Sequence, residues 1–349
     1  MKCIIRIMKH QLTILLFGEV SKSFRGTLFP THALKSAPHY FEKTVPHQVM
    51  LKEEAVKVGG EKITFLLKGY PPEILLIQTS IPVTNIFHTD IFSLEEKVLE
   101  QAYKIFDRMG GKREFSEIYS VFTVSNYTEN PEIFTEKHAP IIASLLKSER
   151  FELDPKEVEY TLSNQIKYAK NDLAIIDWDG AFLFDPEGDF EPTIELLSIA
   201  NLQLLRHRIL DREIDERIEK MVKMVKTPRK KFSLFKFSNK IINHQLEEIL
   251  KYRMASISAF QAIEREIKLI GDWYSARLYD LAAKKFKIDE WRKSIKDKLE
   301  SLEDAYTSLT ENFGLSRKDR AEYVQIIAFF VLQIGWLVLI ILEFLYFTR

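Results

Sequence analysis

The chain has 349 residues, of which 46% are apolar and 29% charged, and its 50 Lys and Arg balance 50 Asp and Glu. That length allows one large domain or two smaller ones with a sizeable buried core. The neutral balance removes any global field that would steer the molecule toward nucleic acid or an acidic substrate. Cys3 is the single cysteine, which excludes intramolecular disulfides, cysteine-based zinc sites and a disulfide-stapled secreted domain.

The N-terminus opens basic and carries an apolar run over residues 12–17. That run is too short for the core of a signal peptide, and no small-residue cleavage site follows, so it reads as β-structure. Residues 54–58 and 62–68 flank Gly59-Gly60, a pair suited to the positive φ angles of a tight hairpin turn. Residues 73–78 form another strand candidate after Pro71-Pro72. Ser93 and Glu96 have capping-box spacing, which predicts a helix running toward Arg108 and stopping at Gly110-Gly111. A strand follows over 117–124. Asp154, Pro155 and Glu157 then predict a helix continuing to about Ala169.

The segment LAIIDWDGAFLFD over 173–185 is the most informative short motif. Asp177-Trp178-Asp179-Gly180, after four apolar residues, resembles the first motif of the haloacid-dehalogenase phosphatases. That resemblance implies Asp177 as phosphate nucleophile and Asp179 as general acid, with Mg²⁺ held between carboxylates. The chain departs from the family by continuing into long amphipathic helices rather than further strands. A hairpin with its turn at Asp179-Gly180 is therefore the favoured reading. The acidic run Asp185, Glu187, Asp189 and Glu191 lacks the spacing of a helix-loop-helix calcium site and reads as a solvated loop before a Thr193 cap. His32, His39 and His47 share one proline-containing stretch without a metal-ligand or catalytic pattern, and no glycine-rich phosphate loop is present.

After Thr193 the strand signals end. Leu202, Leu205, Ile209, Ile214, Ile218, Met221 and Val225 recur at three- or four-residue spacing. So do Phe260, Ile263, Ile267 and Ile270, and then Ile288, Trp291, Ile295, Leu299, Leu302, Tyr306 and Leu309. Such stripes predict packing faces of long helices in an antiparallel, coiled-coil-like stalk. Between Lys220 and Lys240, Lys223, Lys226, Arg229, Lys230, Lys231 and Lys236 are interleaved with Phe232, Leu234, Phe235 and Phe237 without an acidic residue. This segment reads first as a solvated linker, second as a contact for anionic lipid, and last as an RNA contact.

Residues 324–342 carry no charge, and their length of about 29 Å as a helix matches a hydrocarbon core. Arg317, Lys318 and Arg320 precede the run and Arg349 follows it, which places the large N-terminal part on the cytoplasmic or matrix side. Gln333 falls mid-span, Trp336 is central and Glu343 lies near the far edge. Polar groups at such depths face another helix or water, or in the case of Glu343 snorkel to the interface.

From the 173–185 hairpin onward, the order of parts resembles the required-for-meiotic-nuclear-division family. The matching pieces are ELLSIANLQLLRHRILD, WYSARLYDLAAKKFKIDEWRKSIKDKLESLEDAY and a terminal span containing Glu343. The resemblance implies a membrane-anchored, self-assembling protein without established catalysis. A magnesium-channel likeness fails, since that family needs two spans joined by a glycine-methionine-asparagine turn.

The sequence thus predicts an α+β protein with a mixed α/β N-terminal half over 1–190, long antiparallel helices in a stalk over 191–320, and a single C-terminal transmembrane helix within 321–349. It is expected to be a tail-anchored scaffold or adaptor, a homo-oligomer at a lipid bilayer, with no catalysis and no cofactor. The alternatives are a membrane-tethered Mg²⁺-dependent phosphatase using Asp177 and Asp179, or an RNA- or anionic-lipid-binding adaptor using 220–240.

Overall fold

The computed structural model describes residues 8–21, 24, 48–226, 247, 250–251, 254–261 and 273–347. It is an α+β protein built on one eight-stranded sheet, β1 (Lys9–Val20), β2 (Val49–Val58), β3 (Glu61–Tyr70), β4 (Ile74–Val83), β5 (Gly111–Ser125), β6 (Gln165–Ile166), β7 (Leu173–Ile176) and β8 (Gly180–Phe184). The spatial order is β2-β3-β4-β1-β5-β8-β7-β6. The β5–β8 pair is parallel, and the other neighbours are antiparallel.

The apolar run near the N-terminus becomes β1, paired on both sides by β4 and β5. A strand covered on both faces can be apolar at every position, since each face of the sheet has its own core. Leu12, Ile14 and Leu16 enter one core with Phe122, Val124, Phe182 and Phe184. Leu15 and Phe17 enter the other with Tyr119, Val121, Ala181 and Leu183. This period-two alternation on three adjacent strands fixes the register, because a one-residue slip would exchange the two faces.

The first core is closed by α1 (Asp90–Arg108), α2 (Pro131–Lys137), α3 (Ala139–Leu146) and α4 (Pro155–Leu162). The second is closed by the start of α5 (Glu191–Lys226), α7 (Trp273–Lys285) and the start of α8 (Ile288–Phe347). A helical segment over 254–261, α6, precedes α7.

Several boundaries differ from expectation for physical reasons. Helix α1 starts at Asp90 after Thr89, about a turn before the Ser93 box, and this draws Ile91 and Phe92 into the core. Helix α4 does use the Asp154 cap, whose carboxylate accepts the Lys156 N–H at 2.9 Å. It ends at Leu162 rather than near 169, because Gln165 and Ile166 pair with β7. Helix α5 begins at Glu191, not after a Thr193 cap. At Gly59-Gly60 the hairpin forms as predicted, with φ of +59° and +95°.

The chain divides into two compact units: 1–213 with 259–295, and 214–258 with 296–349. Leu202 and Leu205, read from sequence as part of a stalk, are fully buried in the sheet unit. Within that unit Ser294 donates to Asp211 at 3.1 Å, and in the other unit Lys298 pairs with Asp215 at 2.7 Å. In the sheet unit Phe260 stands edge-on to His207, and in the other unit Arg217 donates to the Ser256 hydroxyl.

Candidate functional site

Two features concentrate the polar and apolar anomalies of the chain: the tip of the β7–β8 hairpin and the apolar end of α8. At the hairpin, Ile176 pairs with Ala181, and the Asp177 N–H donates to the Gly180 carbonyl at 2.9 Å. Trp178 and Asp179 therefore occupy the two-residue turn. Gly180 opens β8 instead of completing the turn, and its φ is not in the left-handed region. The reason for a glycine there is close approach, since a Cβ at 180 would lie 2.7 Å from the Ser120 carbonyl oxygen on parallel strand β5.

Asp177 is 3% exposed. Its Oδ2 lies 3.4 Å from Lys147 Nζ, at the end of α3, and its Oδ1 lies 3.2 Å from Lys285 Nζ, the last residue of α7. Helix α3 belongs to the first core and α7 to the second. One carboxylate thus ties together elements from opposite faces of the sheet. The Trp178 N–H also donates to Oδ1 at 2.9 Å. Lys147 further pairs with Glu157 at 2.7 Å, and Lys285 sits 4.6 Å from the centre of the Tyr160 ring. Burial opposes the Lys147 charge, but Glu157 and Asp177 outweigh it and hold its pKa above the ordinary lysine range. Beneath the tip, Tyr119 donates to the Asp177 carbonyl at 3.2 Å, and burial raises its phenol well above the ordinary value.

Asp179 is in a different position. Burial pushes its pKa up to about 6, with the neighbouring Asp177 charge adding to the rise and Lys147 opposing it. Glu95 of α1 is raised too, first by burial and also by Asp179, while a hydrogen bond from the Ser120 hydroxyl works the other way. The Ser120 N–H donates to the Asp179 carbonyl at 3.1 Å. These partners come from α1, α3, β5 and α7, and no local spacing in the sequence announces them.

The resemblance to a phosphatase motif meets a specific geometry here. Both Asp177 oxygens face lysine ammonium groups, where a nucleophile needs one oxygen aimed at phosphate and a cation held by the other. Among the described residues, no group of three His, Cys, Asp or Glu side chains is arranged to hold a metal ion. In the 185–191 loop, Asp185 Oδ1 accepts the N–H groups of Glu187 and Gly188 at 2.7 and 3.0 Å, closing a turn with Gly188 at φ +79°.

At the other feature, residues Val324–Glu343 of α8 are long and apolar enough to cross a membrane, and none of that span is buried in the protein. Leu332 and Trp336 are each 72% exposed. Gln333 and Glu343 are exposed on the same helix. Of the basic segment, Lys223 and Lys226 fall on the last turns of α5, whereas Arg229, Lys230, Lys231 and Lys236 lie outside the described residues. So do His32, His39, His47, Ile263, Ile267 and Ile270.

A single mixed sheet covered by helices on both faces, with one exposed apolar helix, defines the class of protein. Residues 18–191 match the family described as "Uncharacterized protein MJ0711, N-terminal domain". The chain is also 29% identical over 230 residues to the Methanocaldococcus jannaschii protein named "Uncharacterized protein MJ0711", across 65% of this chain and 68% of that relative. No solved structure matches. The family match runs from within β1 to the first residue of α5, so it contains the Asp177 hairpin and stops before the apolar span.

Proposed function

We propose that the protein is a membrane-tethered scaffold or adaptor, with α8 inserted through Val324–Glu343 and the sheet unit held on the cytoplasmic or matrix side. The observation that carries this reading is an apolar helical run, charged only at its last residue, with no part buried. At about 30 Å it matches the hydrocarbon thickness, and in water its exposed apolar side chains would form a far larger patch than soluble monomers present. Arg317, Lys318 and Arg320 on the near side favour the orientation given. The likeness of the back half to the required-for-meiotic-nuclear-division family supports the same membrane-anchored, self-assembling role. On this reading the Asp177 ion pairs hold the sheet and its two helical layers together, and the protein acts by position and association rather than by catalysis.

Alkaline extraction of membranes tests the tether. Full-length protein is expected to stay with the membrane pellet, and a variant lacking 321–349 to appear in the supernatant with its sheet unit folded. Full-length protein released by alkali would overturn the proposal.

A further inference from the structure

The polar groups of the apolar helix are not scattered around it. At 3.6 residues per turn, Gln325, Phe329, Gln333, Trp336, Ile340 and Glu343 fall within an arc of roughly 80°. From Phe329 to Glu343 the spacing alternates between four and three residues, that of a heptad seam, and Gln325 and the charged Glu322 continue the same face toward the start of the span. All seven are exposed on α8. The opposite face, through Ile327, Val331, Ile334 and Val338, carries only aliphatic side chains.

We propose that this stripe is a self-docking seam, pairing in parallel with the same stripe of a second copy inside the bilayer. The inference rests on the membrane reading and names the partner of the same helix. Gln333 stands about 14 Å from Val324 along the axis, near the middle of the hydrocarbon layer. Its amide there has neither water nor a side-chain partner on its own helix. A carboxamide both donates and accepts, so two copies of Gln333 brought face to face satisfy each other. Gln325 repeats the arrangement nearer the first interface. Among the described residues this is the one helix apolar enough to span, and no second span among them meets the seam. Gly335 lies off the stripe without a second small residue four positions away, which leaves the close-approach mode of small-residue dimers without a basis. Glu343 reaches the far headgroup region, where water solvates the two carboxylates of a pair.

Cysteine crosslinking in native membranes reads the seam directly. In a Cys3→Ser background of the full chain, single replacements Phe329→Cys, Gln333→Cys, Trp336→Cys and Ile340→Cys are compared with Val331→Cys and Val338→Cys under a membrane-permeant oxidant. Crosslinking to twice the chain mass is expected at the first four and not at the last two, because a disulfide needs Cα atoms within about 7 Å. Gln333→Leu, placed beside Ile340→Cys, is expected to reduce the crosslinked fraction roughly three- to tenfold. Crosslinks spread equally over both faces, no crosslinks, or products whose mass shows a different protein would each overturn the proposal. Alkaline extraction of the same variants separates the two claims. Resistance without stripe crosslinks defeats the seam alone, and release by alkali defeats the membrane reading beneath it.

Discussion

Asp177 and Asp179 stand two residues apart and respond to opposite surroundings. Asp177 has a lysine on each oxygen, so its removal takes the carboxylate from a Lys285 side chain only 10% exposed, while Lys147 keeps Glu157. Asp177→Ala is expected to cost about 3 kcal/mol, while the paired change Asp177→Leu with Lys285→Met recovers much of it. Denaturant unfolding in detergent checks both. For Asp179, burial raises the native pKa from 3.8 to about 6. The native state therefore binds more protons than the unfolded chain between those values, and this carboxyl lowers stability as pH rises through that window. Asp179→Asn is expected to raise stability by about 1 kcal/mol at pH 8, after discounting for the solvent-facing part of the group, and by nothing at acid pH. A flat difference across that range would contradict the account.

At the scale of elements, α5 combines two environments in one continuous helix. Leu205 is fully buried against the sheet, whereas Val222 near the other end is 41% exposed. Leu205→Ala is expected to lose about 3 kcal/mol and Val222→Ala under about 0.5, measured by thermal unfolding. The stripe running through both regions was legible in the sequence, but what each part packs against was not. A three- or four-residue period identifies a buried face without saying whether a sheet or a helix covers it. Local chemistry was read well where it decides structure alone, as at Gly59-Gly60, the Asp154 cap and the β7–β8 hairpin. At Gly180 the residue was noticed for the wrong reason: the constraint is the Ser120 carbonyl of a neighbouring strand. Lys147, Lys285, Glu95 and Ser120 were missed, since their meeting at the hairpin depends on helices and strands that only the complete sheet brings together.

For the whole molecule, the sheet unit buries its apolar residues in two cores, and the α8 span exposes twenty residues that nothing among the described residues covers. On the proposed membrane reading a bilayer covers that span, and Trp336 is placed to test it. In full-length protein reconstituted into vesicles, with Trp178, Trp273 and Trp291 each changed to Phe, the remaining indole is the sole fluorophore. The account predicts strong quenching by lipids brominated deep in their acyl chains and little quenching by aqueous iodide. Ready quenching by iodide, with no response to the brominated lipid, would contradict it.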